Sequence, residues 1–304
     1  MKTVGVLRGG DFENYEDSLR EGAEIISYII SNFNNEFDVL DIFVDRKGVW
    51  HLKGLPIIPS TLVHKVDVVW NTAHPNLAQI LESFSIPVIG SSSFNFSISQ
   101  NRALLGEQMK NIGIDMPRHL LIPAYQKDFD GGVEEYVRKK TREVFGKFSP
   151  PWIVRSLSKN SSMGVHVAKM LIELEKAIAD GVDHGVSILI EEFITGKVAY
   201  MHSVSGFRNQ NVYVFPVCTG ESFNSFSKNE KEKLETISKD LHKHLGVKRY
   251  LKSSFIVHPK GKIYLTGVNL SPNLKDNSHF RQSCESVGAK TSHIIKHILE
   301  QALK

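Results

Sequence analysis

A stretch of small hydroxylated residues, SKNSSMG at positions 158–164, is the first segment with the chemistry to handle phosphate. It lies between two apolar runs that are typical of strands, 152–157 and 165–168. Ser and Gly leave backbone N–H groups accessible and add hydroxyl donors, as a cover over phosphate oxygens requires. A plain hairpin loop has the same composition, so this loop alone leaves both interpretations open.

Several common catalytic and metal-binding patterns are absent from the sequence. It contains no GxxxxGK[ST] phosphate loop, no GxSxG nucleophile turn, no HExxH pair and no EF-hand loop. His293 and His297 are four residues apart on a predicted terminal helix, but without a third ligand a solvent-exposed helix is the favoured interpretation. Gly9-Gly10 follows a short strand and by itself indicates only a turn.

Composition limits the class of protein and its partners. With 304 residues, 41% hydrophobic and 23% charged, the chain has room for two domains or for one large fold with subdomains. The net charge of +4 is spread along the chain, which argues against a nucleic-acid partner. Cys218 and Cys284 form no CxxC pair, and no apolar run approaches the roughly 18 residues of a membrane span. We therefore expect a cytoplasmic protein without membrane contact.

Strands alternate with helices in the first part of the chain. A β-branched run at 4–7 is followed by a Gly-Gly turn and by apolar residues at helical spacing up to Ile30. FDVLDIFVD, VDVVWNTAH and IPVIGSS predict three further strands. This alternation predicts a parallel sheet with helices on both faces.

The later segments predict a mixture of strands and helices. RALLGEQMKNIGIDMPRHLLI predicts a helix and a strand, and residues 150–181 predict two strands and a helix. A helix is predicted over 228–245, a hairpin turn at Pro259-Lys260-Gly261 and a closing helix from Thr291. The predicted division is into three lobes, 1–92, 93–185 and 186–304.

Five segments taken in order resemble the D-alanine–D-alanine ligase family of the ATP-grasp superfamily, and the resemblance runs nearly end to end. They are VLRGGDFENYEDSLREG, VVWNTAH with IPVIGSS, IVRSLSKNSSMGVHVA, ILIEEFITG and YLTGVNLSPNL. The resemblance implies an ATP-grasp fold, an α/β plus α+β architecture. An N-terminal parallel α/β lobe would precede central and C-terminal lobes that enclose a nucleotide.

The chemistry implied by the resemblance uses ATP to phosphorylate the carboxylate of one D-alanine. The amine of a second D-alanine then attacks the acyl phosphate, in the synthesis of peptidoglycan precursors. The resemblance places the family's nucleotide-binding positions at Arg102, Arg155, Ser162, Gly164, Glu191, Glu192 and Ile194. The positions for catalysis and for orienting the substrate are Asn14, His74, Ser161 and Lys252. For His74 and Glu191, a purely scaffolding function has equal weight.

The metal-binding positions depart from the family pattern. The Asp ligand of the family falls on Ser254 and its Glu ligand on Gly267, while the Asn ligand falls on Asn269. Mg²⁺ normally requires one or two protein carboxylates together with phosphate oxygens. A hydroxyl and an amide replace them poorly, which puts Mg²⁺ in doubt as a cofactor.

Other charged positions differ as well. Arg102 and Arg155 stand where the family has phosphate-binding lysines, and Lys252 stands where it has an arginine. These substitutions keep the charge but change the reach and geometry of the side chain, which matters at a phosphate site. The Glu that orients the substrate falls on Asn14, with Glu13 one residue out of register. Val198 replaces a ribose-contacting Glu, and the loop TGESFNSFSK is shortened.

Two functions are therefore expected, and the sequence leaves both open. The first is a divergent ATP-dependent carboxylate–amine ligase with weak or altered activity on a small amino acid or similar carboxylate. The second is an inactive homologue that binds an anion, a nucleotide or a partner without Mg²⁺-dependent chemistry. Loss of two carboxylates makes the site about two charges more positive, so the cations Arg102, Arg155, Lys159, Lys252 and Arg281 are expected to face no metal-ligand carboxylates. The family's dimers favour a homodimer.

Overall fold

The structure, a computed structural model, describes residues 1–10, 14–158, 161–219 and 226–304. The chain groups into two compact units. The first unit comprises Met1–Ile114, Val198–Phe255 and Gly267–Lys304, and the second comprises Asp115–Lys197 and Ile256–Thr266. The division into three lobes stays a prediction. None of the helices in the described ranges is long and apolar enough to cross a membrane.

A six-stranded sheet opens the first unit. Its order is β4-β3-β2-β1-β5-β6, with β1 parallel to β2 and β5, and β5 parallel to β6. The strands are β1 (Lys2–Gly9), β2 (Phe37–Val44), β3 (Trp50–Leu52), β4 (Leu55–Ile57), β5 (Val68–Asn71) and β6 (Val88–Ile89). The predicted parallel strands are confirmed. The antiparallel hairpin β3–β4 was not predicted; Lys53 and Gly54 at its turn both have positive φ, as a tight two-residue turn requires.

Helices pack on both faces of this sheet, α1 (Tyr15–Phe33) on one face and α2 (Pro75–Ser83) on the other. Helices α3 (Ser93–Gln100) and α4 (Arg102–Asn111) follow along the chain. The buried face of α1 recurs every three or four residues, through Gly22, Ile25, Ile29 and Phe33. A Cβ at Gly22 would lie 2.8 Å from Arg8 side-chain carbons, so glycine allows α1 to pack directly on β1.

The second unit contains a four-stranded antiparallel sheet of order β7-β10-β8-β9. Its elements are β7 (His119–Ile122), α5 (Lys127–Asp130), α6 (Val133–Lys147), β8 (Trp152–Ser156), β9 (His166–Ala168), α7 (Leu171–Asp183) and β10 (Ile188–Glu192). Trp152 is fully buried in its core, and the indole N–H donates to the Phe148 carbonyl at 3.0 Å. The strands and the helix predicted in this region are confirmed.

The last third of the chain contributes a second four-stranded sheet, of order β12-β11-β13-β14. Its elements are β11 (Lys197–Ser205), β12 (Val212–Val214), α8 (Lys228–His244), β13 (Tyr250–Val257), β14 (Ile263–Asn269), α9 (His279–Glu285) and α10 (Thr291–Ala302). Phe280, Ile295 and Leu299 share one hydrophobic core with Val4 and Trp70 of the six-stranded sheet. The N-terminal sheet and the C-terminal helices of the first unit therefore form one cooperative core.

Strand β11 was not predicted, because buried polar residues interrupt its hydrophobic alternation. His202 and Ser203 are each only 1% exposed. The Nδ1 atom of His202 lies 2.8 Å from the Tyr250 hydroxyl, and Ser203 Oγ lies 2.8 Å from His242 Nδ1. These partners come from distant parts of the chain, and they satisfy His202 Nδ1 and Ser203 Oγ, which burial would otherwise penalise. His202 Nε2 has no hydrogen-bond partner among the described residues.

Burial makes His202 a determinant of stability at acidic pH. It lowers the pKa of His202 from 6.5 to about 3, with Lys252 and His279 acting in the same direction. His202 therefore becomes protonated below about pH 6.5 in the unfolded chain, whereas in the native chain it stays neutral down to about pH 3. The free energy of unfolding falls as the pH falls through this window.

We expect His202→Phe to reduce this pH dependence by about one proton, or about 1.4 kcal/mol per pH unit. Urea unfolding between pH 4.5 and 7 measures the slope. His64→Gln, at an exposed position, serves as the control substitution. A slope identical in wild type and His202→Phe would contradict the assignment.

Candidate functional site

Arg155 and Glu191 form an ion pair on neighbouring strands of the second unit. Arg155 lies on β8 opposite Leu189 of β10, which makes Glu191 its diagonal neighbour. The Nε and Nη2 atoms of Arg155 both lie 3.2 Å from Glu191 Oε2. Glu191 is 8% exposed, whereas nearly half of the Arg155 side chain is open to solvent. Glu191 thus anchors a cation that keeps N–H donors available to a ligand.

Glu192, the last residue of β10, is held by an arginine that the sequence analysis missed. Arg118 donates from Nε and Nη2 to the two Glu192 carboxylate oxygens, each at 2.9 Å. This bidentate contact lowers the pKa of Glu192 below its usual 4.5. Arg118 was not recognised because only the pairing of β7 with β10 brings it close. Ile194 follows the strand and is partly buried.

The Glu192 carboxylate stabilises the fold above its ordinary pKa, and this contribution is lost as the pH falls through the lowered value. We expect Glu192→Gln to reduce the free energy of unfolding by about 1 kcal/mol at pH 7, after allowance for solvent around Arg118. The difference should shrink as the pH falls through the lowered pKa of Glu192. Chemical denaturation at pH 7 and at a series of acidic pH values tests this expectation. Glu134→Gln, whose carboxylate lies 3.9 Å from Arg138 on an exposed helix face, should change stability little.

The hydroxyl-rich loop between β8 and β9 is organised around Ser161. The Met163 N–H donates to Ser161 Oγ at 3.1 Å, and the Ser161 N–H donates to the Ser158 carbonyl at 3.3 Å. Met163 is buried and fixes the loop to the core, while Ser162 and Gly164 are exposed. The loop therefore presents hydroxyl and backbone donors to solvent. The predicted cation Lys159 lies outside the described residues.

Three predicted residues of the first unit lie at the beginnings of helices. Asn14 is the residue before α1, and His74 is the residue before α2. The Asn76 N–H donates to His74 Nδ1 at 3.3 Å, and the His74 ring packs edge-on against Phe96. Arg102 is the first residue of α4. His74 thus serves the scaffold as a helix cap, and its interaction with a substrate stays a prediction. Glu13 lies outside the described residues.

Lys252 belongs to an aromatic cluster in the first unit. Its ammonium lies 4.7 Å from the centre of the Tyr200 ring, and His279 stacks on that ring at 4.2 Å. Burial lowers the pKa of Lys252 and of His279, and Lys252 further lowers that of His279. The sequence analysis missed Tyr200 and His279. Tyr200 lies on the unpredicted strand β11, and no motif distinguishes His279.

The residues at the predicted metal positions do not fit a divalent cation. Asn269 Oδ1 accepts a hydrogen bond from the Ser271 N–H at 2.7 Å, which occupies part of its coordinating capacity. Gly267 offers no side-chain donor, and a Cβ built on it would have no atom within 4 Å. Ser254 supplies a neutral hydroxyl. Across the described ranges, no group of three or more His, Cys, Asp or Glu side chains could hold a metal.

Two expected sources of charge at this site have other partners. Arg281 pairs with Asp276 and also donates to Glu285 at 2.8 Å. Arg155 and Arg281 are thus paired with carboxylates outside the predicted metal positions, and the expectation that they face no metal-ligand carboxylates stays a prediction. Of two acidic residues that could replace the missing metal ligands, Asp276 is already paired with Arg281, and Glu221 lies outside the described residues.

Comparisons with known protein sequences and with a family profile all identify the same protein family. A sequence profile described as "D-ala D-ala ligase C-terminus" matches residues 109–219 and 219–300. A D-alanine–D-alanine ligase of Borrelia garinii subsp. bavariensis is 23% identical over 354 aligned positions, covering 100% of this chain and 96% of the relative. The corresponding figures for the ligase of Aquifex aeolicus are 24% over 315 positions, 97% and 99%.

Solved structures show the same fold. The VanG D-Ala:D-Ser ligase of Enterococcus faecalis matches with a TM-score of 0.75 and 18% identity, covering 99% of each chain. A D-alanine–D-alanine ligase of Bacillus anthracis matches with a TM-score of 0.70 and 20% identity, covering 100% of this chain and 98% of that chain. Both overlaps extend over the whole chain, so the similarity includes the N-terminal sheet.

Proposed function

Since the chain belongs to the D-alanine–D-alanine ligase family and has its ATP-grasp fold, we propose that it joins a small carboxylate to an amine by using ATP. The family profile over residues 109–300 carries this proposal. Full-length relatives named as D-alanine–D-alanine ligases support D-alanine, or an amino acid of similar size, as the substrate. The proposal extends to a cytoplasmic homodimer that acts in peptidoglycan precursor synthesis.

The proposed reaction has two steps. A carboxylate oxygen attacks the γ-phosphorus of ATP, and ADP leaves with the bridging oxygen. The amine of the second substrate attacks the acyl carbon of the acyl phosphate, the C–O bond to phosphate breaks, and the amine loses a proton. Both steps depend on positioning and on neutralisation of phosphate charge, so the enzyme needs fixed cations and donors.

The described residues supply such groups in each unit. In the second unit, the anchored guanidinium of Arg155 neutralises phosphate, while Ser161, Ser162 and Gly164 offer hydroxyl and backbone donors. In the first unit, Lys252 is oriented by Tyr200 and lies in a partly desolvated environment, which strengthens its attraction for an anion. The reaction is expected to be slow, because Ser254 and Gly267 provide no carboxylate to hold a metal.

We expect formation of ADP that requires D-alanine or a similar amino acid, with an acyl hydroxamate formed when hydroxylamine is present. Arg155→Met should lower kcat/KM at least tenfold, because removal of a charge-assisted phosphate contact costs well over 1 kcal/mol. Arg142→Met, an exposed cation on α6, serves as the control and should change kcat/KM less than twofold. Nucleotide binding without ADP formation from any small amino acid would contradict ligation and support the inactive homologue.

Nucleotide binding is expected to depend little on Mg²⁺, with less than a tenfold change in Kd for ATP. Ser254→Asp combined with Gly267→Glu should restore a dependence greater than tenfold, since position 267 has room for a side chain. Calorimetric titration of ATP with and without Mg²⁺ measures both quantities. The neutral pair Ser254→Asn and Gly267→Gln matches the added volume without the charge and should restore nothing. Strong Mg²⁺ dependence in wild type would show that other ligands hold the metal.

A further inference from the structure

A cavity of about 210 Å³ lies in the first unit, beside the edge strand β6. Residues 88–95, the loop 246–250 and the turn 270–272 line it, together with one side of α2. The predicted site residues Asn14, His74, Arg102, Lys252, Ser254, Gly267 and Asn269 are not among the residues that line it. Cavities of about 150 Å³ accept a molecule the size of benzene, so this one accommodates a small organic ligand.

Arg249 provides an anchoring cation in this cavity. Its Nη1 donates to the Val88 carbonyl at 2.9 Å, which is the only hydrogen bond of the guanidinium in the part of the chain that the structure describes. Burial lowers the pKa of Arg249, opposed by the carboxylate of Glu82. A partly buried guanidinium with unused N–H donors is costly unless an anion compensates it. The remaining donors fit one planar carboxylate.

The same cavity also contains a negative charge and a hydrogen-bond acceptor. Glu82 lines it from α2, yet Glu82 and Arg249 form no ion pair within 4 Å. Asn95 is 7% exposed, and its buried Oδ1 has no hydrogen-bond partner within the described ranges. Its Oδ1 and the Glu82 carboxylate can both accept hydrogen bonds from an ammonium group. Cation and acceptors thus face one small cavity without pairing with each other.

We propose that this cavity binds a small α-amino acid as a zwitterion, with its carboxylate on Arg249 and its ammonium group toward Glu82 and Asn95. A zwitterion satisfies both sets of groups at once, whereas a simple anion is attracted by Arg249 and by Lys248, which also lines the cavity, but meets repulsion from Glu82. Apolar lining from Val88, Ile89 and Ile298 leaves space for a short side chain. This site is separate from the proposed ligation chemistry and does not depend on it.

The cavity also touches the turn that follows β14. Leu270, Ser271 and Pro272 line it, and the Ser271 N–H donates to Asn269 Oδ1. A bound amino acid would therefore restrict the backbone next to a predicted site residue. Because the cavity contacts this turn, a small amino acid bound in it could regulate the neighbouring predicted site.

The test is hydrogen-exchange mass spectrometry of the full chain with glycine, acetate or inorganic phosphate, together with calorimetric titration. Glycine should slow exchange in segments 88–95, 246–250 and 270–272, and it should bind at least tenfold more tightly than acetate or phosphate. Arg249→Gln should weaken glycine binding at least tenfold. Glu82→Gln should weaken glycine binding and strengthen acetate binding, because repulsion of the anion is removed.

Controls separate this site from a second glycine site and from misfolding. Lys243→Gln removes an exposed charge that does not line the cavity, and it should leave Kd unchanged. If Arg249→Gln fails to fold, the effect of the exposed Glu82→Gln substitution on glycine and acetate binding still tests the proposal. Acetate or phosphate binding as tight as glycine, or glycine protection that leaves the three segments unchanged, would overturn the proposal.

Discussion

A fixed charge needs a partner that holds and compensates it, and this constraint governs the candidate site residues within each unit. Arg118 pairs with Glu192, Arg155 with Glu191, and Arg281 with Asp276 and Glu285. Lys252 instead lies over the Tyr200 ring, where the aromatic quadrupole replaces a counter-ion at lower strength. Within each unit these cations are thus held in place by residues of the same unit, and the partly exposed Arg155 of the second unit is suited to phosphate.

Substitutions at Ser254 and Gly267 change the electrostatics of the first unit more than its packing. Gly267 does not have a positive φ and has open space where a Cβ would lie, so glycine at this position is not required by the backbone. The strand survives because its hydrogen bonds do not depend on the side chain. The sheet therefore does not depend on which side chain stands at position 267, and the ATP-grasp fold is compatible with the absence of a carboxylate there.

Buried polar groups link the sheet of the last third of the chain to its helices. His242 of α8 contacts Ser203 and Ser205 of β11 through its two ring nitrogens, each at 2.8 Å. His202 contacts Tyr250 across the neighbouring strand. Both histidines are kept neutral by burial, with pKa values lowered to about 4 and about 3. Such pairs fix the register of β11, because a shift by one residue would leave every partner unsatisfied.

Local sequence determined the parallel strands, the helices from Lys228 and Thr291, the hairpin turn at 259–261 and the family, since each follows from periodicity, turn chemistry or ordered motifs within a short stretch. It also shows Ser254 and Gly267 at the two positions where the resemblance implies metal-ligand carboxylates. Tertiary structure decided the course of β11, the Arg118–Glu192 pair, the Tyr200–Lys252–His279 cluster and the cavity at Arg249. These features join residues far apart in the chain, and hydrophobic periodicity reports burial without identifying the partner. The sequence by itself therefore established which side chains were available, while packing decided which of them compensate one another.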